Sequence, residues 1–363
     1  MKARTFKFIR HTTYLIVSCC IVLLGQVITT SRVSAHTSTP GHLQQATTTS
    51  CLQPPQNVNL MSLSDTQLQL YGLPTHAVFK ENLKLWTRIL ANAKYHSCSP
   101  AQNSKLPTGP STKSGFTPNT VGCNAPGDMC PNTSWAGNEA VGSRGTYKEA
   151  DTEFFVPSIS TSVVGSHVSL WAGVGGDPNF GGSTVLVQAG VDVSVDSNHH
   201  QYNVSWWEVV PGFNEQNLPF TKGLHIGDDI AAIVHSNSSN YPNQDAFFLD
   251  NFTTHEYINK ISSSLALSDS ASAEWTVERV SCGNHCLYPL AQFQNSGQPA
   301  NTVRLYGNEA ETNGSSQTYS VASLTHLYNQ IYVDPNNLNT LMASVGPIAS
   351  NGYDYSVTWH RGS

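Results

Sequence analysis

The feature that most limits how this chain can fold is a change of texture near Val121. From there to the C-terminus, short stretches of alternating apolar and polar residues are separated by Gly, Asn, Asp and Pro. Such alternation is typical of strands with one buried face, and many short strands between turn residues predict an all-β sandwich or barrel. A single all-β domain can hold roughly 240 residues. We therefore predict one antiparallel β-sandwich over residues 121–363.

The clearest alternation lies in residues 184–195. Its odd-numbered residues are all apolar and predict a core face, whereas Gln188 lies on the opposite, largely polar face. Residues 167–174 divide in the same way and place Trp171 on their polar face. A tryptophan in that position indicates either a platform for substrate or an ordinary surface aromatic.

Two later strands carry carboxylates. In residues 202–210, Glu208 shares an aromatic-rich face, which is a costly place for a lone charge. In residues 272–280, Glu274 and Glu278 share one face and apolar residues occupy the other. This division predicts a sheet with one face in the core and one face open to a cleft.

The N-terminus predicts export. Four basic residues precede an apolar stretch at 14–27, and small residues follow up to Ala35. This order is that of a secretory signal peptide over residues 1–35. The apolar stretch is shorter than the ~20 residues that a spanning helix needs. We expect a secreted, extracellular protein with no membrane association after signal cleavage.

Residues 36–120 have a different composition, rich in Thr, Ser, Gln and Pro, with one helical pattern from about His76 to Tyr95. A single amphipathic helix cannot bury a core alone, so we expect it to pack against the sandwich. In a secreted hydrolase, a removable pro-segment is the natural interpretation. The alternative is an N-terminal extension that stays attached.

Charge argues against a nucleic-acid partner. The first 35 residues hold five basic and no acidic side chains, so the remainder carries 13 basic against 24 acidic residues, a net charge of −11. Only 12% of all residues are charged. A surface of neutral polar groups suits an acidic medium, because it changes little when carboxylates take up protons.

Cysteine usage predicts disulfide bonds. Six cysteines remain beyond the signal peptide, and an even number in an exported chain favours disulfides, with fifteen possible pairings. Sequential pairing is our prediction: Cys51–Cys98, Cys123–Cys130 and Cys282–Cys286.

A family resemblance rests on five motifs that occur in order: LWAGVGG at 170–176, LVQAGV at 186–191, YNVSWWEVVP at 202–211, IGD at 226–228 and SAEWTVE at 272–278. SWAG at 134–137 and YSVTW at 355–359 resemble the ends of the same domain. Together they make residues 121–363 similar to the eqolisins, the glutamic peptidases.

The resemblance implies a lectin-like sandwich of two seven-stranded sheets and a catalytic pair formed by Gln188 and Glu274. Trp171 and Glu208 match positions that line or brace the cleft, and we assign them to substrate binding together with Asp177. One position departs from the family pattern: Gly175 stands where eqolisins commonly carry an aspartate, and Asp177 follows two residues later. No cofactor and no metal ion are implied.

The chemistry expected is hydrolysis of peptide bonds by a monomeric acid endopeptidase acting on polypeptides. Glu274 would take a proton from water and later deliver it to the leaving amine, while Gln188 holds the water and stabilises the oxyanion. Glu278 is the alternative carboxylate for this role.

Two other functions stay open from sequence. Paired carboxylates on such a sandwich also occur in glycoside hydrolases. The aromatic face of Tyr202 and Trp206 would suit a carbohydrate-binding module without catalysis.

Overall fold

The computed structural model describes residues 54–55, 57–71, 73–76, 83–92, 123, 125–177, 184–211, 213–238, 241–262, 268, 270–283, 286–315, 317–334 and 336–362. The predicted signal peptide and much of the predicted pro-segment lie outside these ranges. Within them, no helix is both long enough and apolar enough to cross a membrane.

Twenty strands in the described ranges are numbered here in chain order. They are β1 Met129–Asn132, β2 Trp135–Val141, β3 Tyr147–Phe155, β4 Ser158–Ile159, β5 His167–Gly175, β6 Leu186–Val195, β7 Gln201–Val210, β8 Phe213–Asn217, β9 Asp229–Ser236, β10 Asp245–Asn251, β11 Glu256–Ser262, β12 Ser272–Glu278, β13 Ser281–Gly283, β14 Cys286–Leu287, β15 Phe293–Gln294, β16 Thr302–Thr312, β17 Thr318–Ser320, β18 His326–Asp334, β19 Asn337–Val345 and β20 Tyr355–Trp359.

Most of these strands form one hydrogen-bonded path that folds back on itself. Its order is β11-β10-β9-β3-β16-β20-β19-β18-β2-β12-β5-β6-β7-β8. Strands β5, β6 and β12 pack face to face against β3, β9 and β10. The predicted antiparallel sandwich is therefore confirmed. Its two layers are joined along one side through β18, β19 and β20, so that they form one continuous sheet. The resemblance implied two seven-stranded sheets instead.

The core lies between the layers and contains the apolar faces that alternation predicted. Val187, Ala189, Val191, Val193 and Val195 of β6 all belong to it. Alternate residues of β5 and β12 join them from the same layer. Burial of each such valine side chain stabilises the fold by about 1.5–3 kcal/mol. Because successive side chains alternate, the polar residues of these strands are fixed on the opposite face.

Among the described residues, two α-helices precede the sandwich, α1 at Asp65–Leu70 and α2 at Leu83–Asn92. The sequence predicted only one helix, and a longer one. The six residues of α1 are too few to show a helical period. A capping box marks its start: the Ser64 backbone N–H donates to Gln67 Oε1 at 2.9 Å, and the Gln67 N–H donates to Ser64 Oγ at 3.3 Å.

Helix α2 packs on the outer face of the layer that contains β9, β10 and β11, as expected. Its buried side chains are Leu85, Trp86, Ile89 and Leu90, and they meet Phe248 and Tyr257 among other apolar residues of the sheet. Arg88, on the same helix, pairs with Glu153 and with Asp229 Oδ2, the latter at 2.7 Å.

Two of the three predicted disulfides are present, Cys123–Cys130 and Cys282–Cys286. Cys51 and Cys98 lie outside the described residues.

Candidate active site

One register row crosses the layer formed by β2, β12, β5, β6 and β7. Glu139 pairs with Glu274, Glu274 with Gly173, Gly173 with Gln188, and Gln188 with Glu208. Directly paired residues on neighbouring strands point their side chains to the same face. Gln188 and Glu274 therefore share one face, as their strand phases predicted.

Gly173 separates the two candidate catalytic residues. Neighbouring strands lie about 4.8 Å apart, so the backbones that carry Glu274 and Gln188 are about 10 Å apart. A Cβ atom at Gly173 would lie 3.3 Å from Glu274 Oε2 and 2.9 Å from Leu186 Cδ1 and Trp171 Cζ3. The Glu274 carboxylate thus leans over the glycine in the direction of β6, and a side chain at this position would collide with Leu186 and Trp171 and press against Glu274.

Glu208 orients the amide of Gln188. Gln188 Nε2 donates a hydrogen bond to Glu208 Oε2 at 2.9 Å. Gln188 Oε1 is buried and accepts no hydrogen bond from the described residues. Burial raises the pKa of Glu208 well above its ordinary value, with smaller contributions from Glu215 and Glu278, while the bond from Gln188 acts in the opposite direction.

Glu278 occupies a different row of the same face and has different partners. Trp171 Nε1 donates to Glu278 Oε2 at 2.7 Å, and the Trp135 side chain lies close enough to act on the pKa of this carboxyl in the same direction. Burial raises the pKa of Glu278 to about 8, against the effect of the two indoles. Across Ser169, Glu278 faces Asp192 instead of Gln188.

Trp171 lies on the predicted face, but its indole is fully buried. It packs edge-on against Trp135 with a ring separation of 5.1 Å. Trp206, Leu186 and Val210 complete an apolar cluster on this face. The sequence predicted an open cleft, whereas Glu274 and Gln188 are 0% and 1% exposed. Trp135, Trp171 and Trp206 all pack on this face and are part of the reason for this burial.

A polar pocket lies beside Gln188, where Asp192, Trp206, Glu208 and Glu278 contribute to its lining. Asp192 Oδ2 lies 3.0 Å from His167 Nε2. Burial opposes the charged form of His167, but the adjacent Asp192 carboxylate raises its pKa overall.

Asp177 is buried next to the register row. Strand β5 ends at Gly175, and Gly175 and the following Gly176 have φ values of +84° and +102°. A Cβ atom at Gly175 would come within 1.9 Å of Ser268 Oγ and 2.6 Å of the Val185 carbonyl oxygen. The aspartate that eqolisins commonly carry at this position would not fit here. Asp177, two residues later, is 1% exposed and helps to raise the pKa of Glu139.

Glu139 is the functional candidate that sequence reasoning missed. It is fully buried, and Asn329 Nδ2 donates to its Oε2 at 3.0 Å. The pKa of Glu139 is raised well above its ordinary value, first by burial and then by Asp177 and Glu274. The available signal was alternation in β2, which places Trp135, Gly137 and Glu139 on one face.

Donors suited to a metal ion occur elsewhere. Glu149, His235 and Glu311 lie on one row of β3, β9 and β16, with their ligand atoms within 4.8 Å of one another, and they are the only group of this kind in the part of the chain that the structure describes. Burial lowers the pKa of His235 to about 3. These strands belong to the layer opposite Gln188 and Glu274.

Comparison with known proteins identifies the family. The model of the Peptidase A4 family matches residues 133–341, which include every residue of the register row. Among solved structures, scytalido-glutamic peptidase with a transition state analog inhibitor is similar, with a TM-score of 0.49 and 20% identity over 63% of this chain and 98% of that chain. SCP-B, an eqolisin in complex with the tripeptide Ala-Ile-His, has a TM-score of 0.47 with the same identity and coverage. No curated protein sequence matches. Because the family model covers more than half of the chain, the protein belongs to the Peptidase A4 family, the eqolisins, and is a glutamic endopeptidase.

Proposed function

We propose that this protein is a secreted acid endopeptidase in which Gln188 and Glu274 activate a water molecule against the peptide bond. The observation that carries the proposal is the register row, in which Glu274 and Gln188 face each other across Gly173. A carboxylate and an amide flank the one position between them, Gly173, that carries no side chain of its own.

The reaction needs one base that later becomes an acid. Glu274, ionised, takes a proton from water while the water oxygen bonds to the carbonyl carbon and the carbonyl oxygen becomes an oxyanion. The Gln188 amide donates an N–H to that oxyanion, and Glu208 holds the amide in orientation through the 2.9 Å bond. Glu274 then gives its proton to the leaving nitrogen as the C–N bond breaks.

Acid conditions suit this chemistry. The group that takes the proton from water must return it to the leaving nitrogen as a carboxylic acid, and this second step is favoured at acid pH. The raised pKa values of Glu139, Glu208 and Glu278, caused first by burial, mean that these neighbours hold their protons there. These three carboxyl groups therefore add no negative charge to the site when Glu274 ionises.

The other roles follow from position. We assign Trp171, Glu208 and Asp177 to supporting the polypeptide substrate and the catalytic pair, in a monomeric enzyme.

Residues 1–35 would direct secretion, and residues 36–120 would form a pro-segment that is cut after α2 on activation. N-terminal sequencing of the secreted active enzyme checks this cut, because an active form that still begins near His36 would make the extension permanent.

Substitution of the pair tests the mechanism. Glu274→Gln keeps the shape of the side chain but removes the titrating group, so turnover of denatured casein at acid pH should be abolished. Gln188→Ala should lower kcat on the order of a hundredfold or more, the cost of deleting an oxyanion donor. Glu256→Gln, a buried glutamate in the opposite layer, is the matched control and should remain active.

Two outcomes would contradict the proposal. Full activity of Glu274→Gln with an intact fold would exclude this residue as base. Turnover of β-glucan but not of casein by the wild-type enzyme would favour a glycoside hydrolase.

A further inference from the structure

We propose that Glu149, His235 and Glu311 form a binding site for one divalent transition-metal cation such as Zn²⁺. The site lies in the layer opposite the register row of the candidate active site. Its cation would tie three strands together and take no part in peptide hydrolysis. The inference is therefore independent of the proposed catalytic mechanism.

Three neighbouring strands bring the ligands together. Glu149 of β3 is paired directly with His235 of β9 on one side and with Glu311 of β16 on the other, so the three side chains share one face. One ligand atom from each residue lies within 4.8 Å of the others, and His235 Nδ1 is 3.1 Å from Glu149 Oε2. Ligands that hold zinc at about 2.0–2.2 Å are themselves roughly 3–3.6 Å apart. Small side-chain rotations therefore complete the geometry without movement of the strands.

Burial and charge favour a cation at this position. The exposed fractions of Glu149, His235 and Glu311 are 2%, 0% and 8%. A neutral imidazole with two carboxylates carries two negative charges, which one divalent cation cancels, so that the buried group is neutral as a whole. Glu149 Oε1 is buried and has no hydrogen-bond partner among the described residues. A buried oxygen without a partner is costly, and coordination would supply the missing interaction.

The donor set selects the class of metal. Ca²⁺ and Mg²⁺ take oxygen ligands, whereas an imidazole nitrogen suits zinc and other transition metals. Zn²⁺ accepts nitrogen from histidine and oxygen from glutamate in the same site. One histidine with two glutamates thus matches zinc better than either of the hard cations.

The surroundings of the group support the same assignment. The rings of Tyr241 and Phe248 each lie 5.5 Å from the His235 ring and cover it with aromatic surface. One row along, Asp151 of β3 is paired with Glu309 of β16 on the same face. These two carboxyl groups add negative potential beside the ligands, which attracts a cation.

Metal content and thermal stability test the site directly. The full chain is produced as Glu274→Gln, to prevent self-digestion, in medium with or without added Zn²⁺, because buried ligands are best loaded during folding. At pH 7, where the ligands can lose their protons, elemental analysis after gel filtration should find about one zinc per chain. Free Zn²⁺ at about a hundredfold excess over Kd should raise the Tm by about 5 °C or more relative to chelator-treated protein. Mg²⁺ in its place should neither bind nor raise the Tm.

Ligand variants locate the cation. Glu311→Gln and His235→Asn each remove one ligand and should weaken zinc binding by at least about a hundredfold, because loss of even an outer partner of a ligand costs about 10–100-fold. Glu311 lies at the more exposed edge of the group, so its variant tests the site even if His235→Asn fails to fold. Glu256→Gln, at a buried glutamate of β11 in the same layer, is the matched control and should bind zinc as the parent does.

Three results would overturn the inference. Absence of bound zinc together with an unchanged Tm would mean that the three groups only interact with one another. Zinc binding that survives both ligand variants would place the cation elsewhere, for example at the exposed His199 and His200. Binding of Mg²⁺ in preference to Zn²⁺ would contradict the role of the imidazole.

Discussion

At the scale of single residues, Glu274 and Glu278 share a face of β12 but have different surroundings. Glu278 receives an N–H from Trp171 and faces Asp192, whereas Glu274 leans over Gly173 in the direction of β6. A carboxyl whose pKa is about 8 is protonated at acid pH, and so is poorly suited to begin a reaction as a base.

Glu278→Gln tests this distinction. A glutamine is neutral, like the protonated acid, and its oxygen can still accept the Trp171 N–H. We expect kcat/KM on casein at acid pH to stay within about tenfold of wild type, in contrast to Glu274→Gln. Loss of turnover as complete as that of Glu274→Gln would make Glu278 the base.

Gly173→Ala tests the space between the pair. The added methyl group would lie 2.9 Å from Leu186 Cδ1 and Trp171 Cζ3 and 3.3 Å from Glu274 Oε2, so these groups must shift or the gap closes. We expect kcat to fall by on the order of a hundredfold, as small misplacements of catalytic groups do, with a milder loss of stability. Thermal unfolding measured beside steady-state kinetics separates the two effects.

Sequence alone located part of this site. Alternation assigned Gln188 and Glu274 to one face because side-chain direction has a strict period of two. It did not find Glu139, because its partner Glu274 lies on a strand that is distant in the chain, and pairing between distant strands leaves no local pattern. The burial of Trp171 was missed for the same reason, since it depends on neighbours from other strands.

At the scale of elements, α2 shows what a short amphipathic helix contributes. Ile89 is fully buried against the outer face of the sheet, while Thr87 on the same helix is exposed. The helical period predicted this packing. The length of the helix was less predictable, because the energies of adding or losing a terminal turn are small.

Ile89→Ala should therefore reduce the free energy of unfolding by about 2–4 kcal/mol. Thr87→Ala is the matched control and should change it by no more than about 0.5 kcal/mol. Chemical denaturation of the full chain measures both values. Equal stability of the two variants would show that α2 unfolds independently of the sandwich.

At the scale of the whole molecule, burial raises the pKa of several carboxyl groups, among them Glu139, Glu149, Asp250 and Glu278. In the unfolded chain they would titrate near the ordinary value. Between that value and the higher folded value, the folded state binds more protons, so stability is fully present in acid and declines as pH rises. His235 acts in the opposite sense, because its pKa is lowered to about 3 and its unfolded form takes up a proton first.

The carboxyl groups outnumber this histidine, so we expect the Tm to be higher near pH 4.5 than near pH 8. For Glu278 alone, each pH unit between the ordinary value and about 8 corresponds to about 1.4 kcal/mol. Thermal unfolding across this range is the measurement. A Tm that rises steadily toward neutral pH would contradict the expectation.

The register row also has a consequence for the timing of biosynthesis. Glu139 on β2 pairs with Glu274 on one side and with Leu327 on the other, so its strand finds neighbours only after most of the chain has been synthesised. Contacts between residues so far apart in sequence form late and slowly. A ribosome-bound chain that ends before β12 holds Gln188 but lacks Glu274. On the proposed mechanism, an incomplete chain would therefore be inert, and the cell that makes this peptidase would not be exposed to its activity during translation.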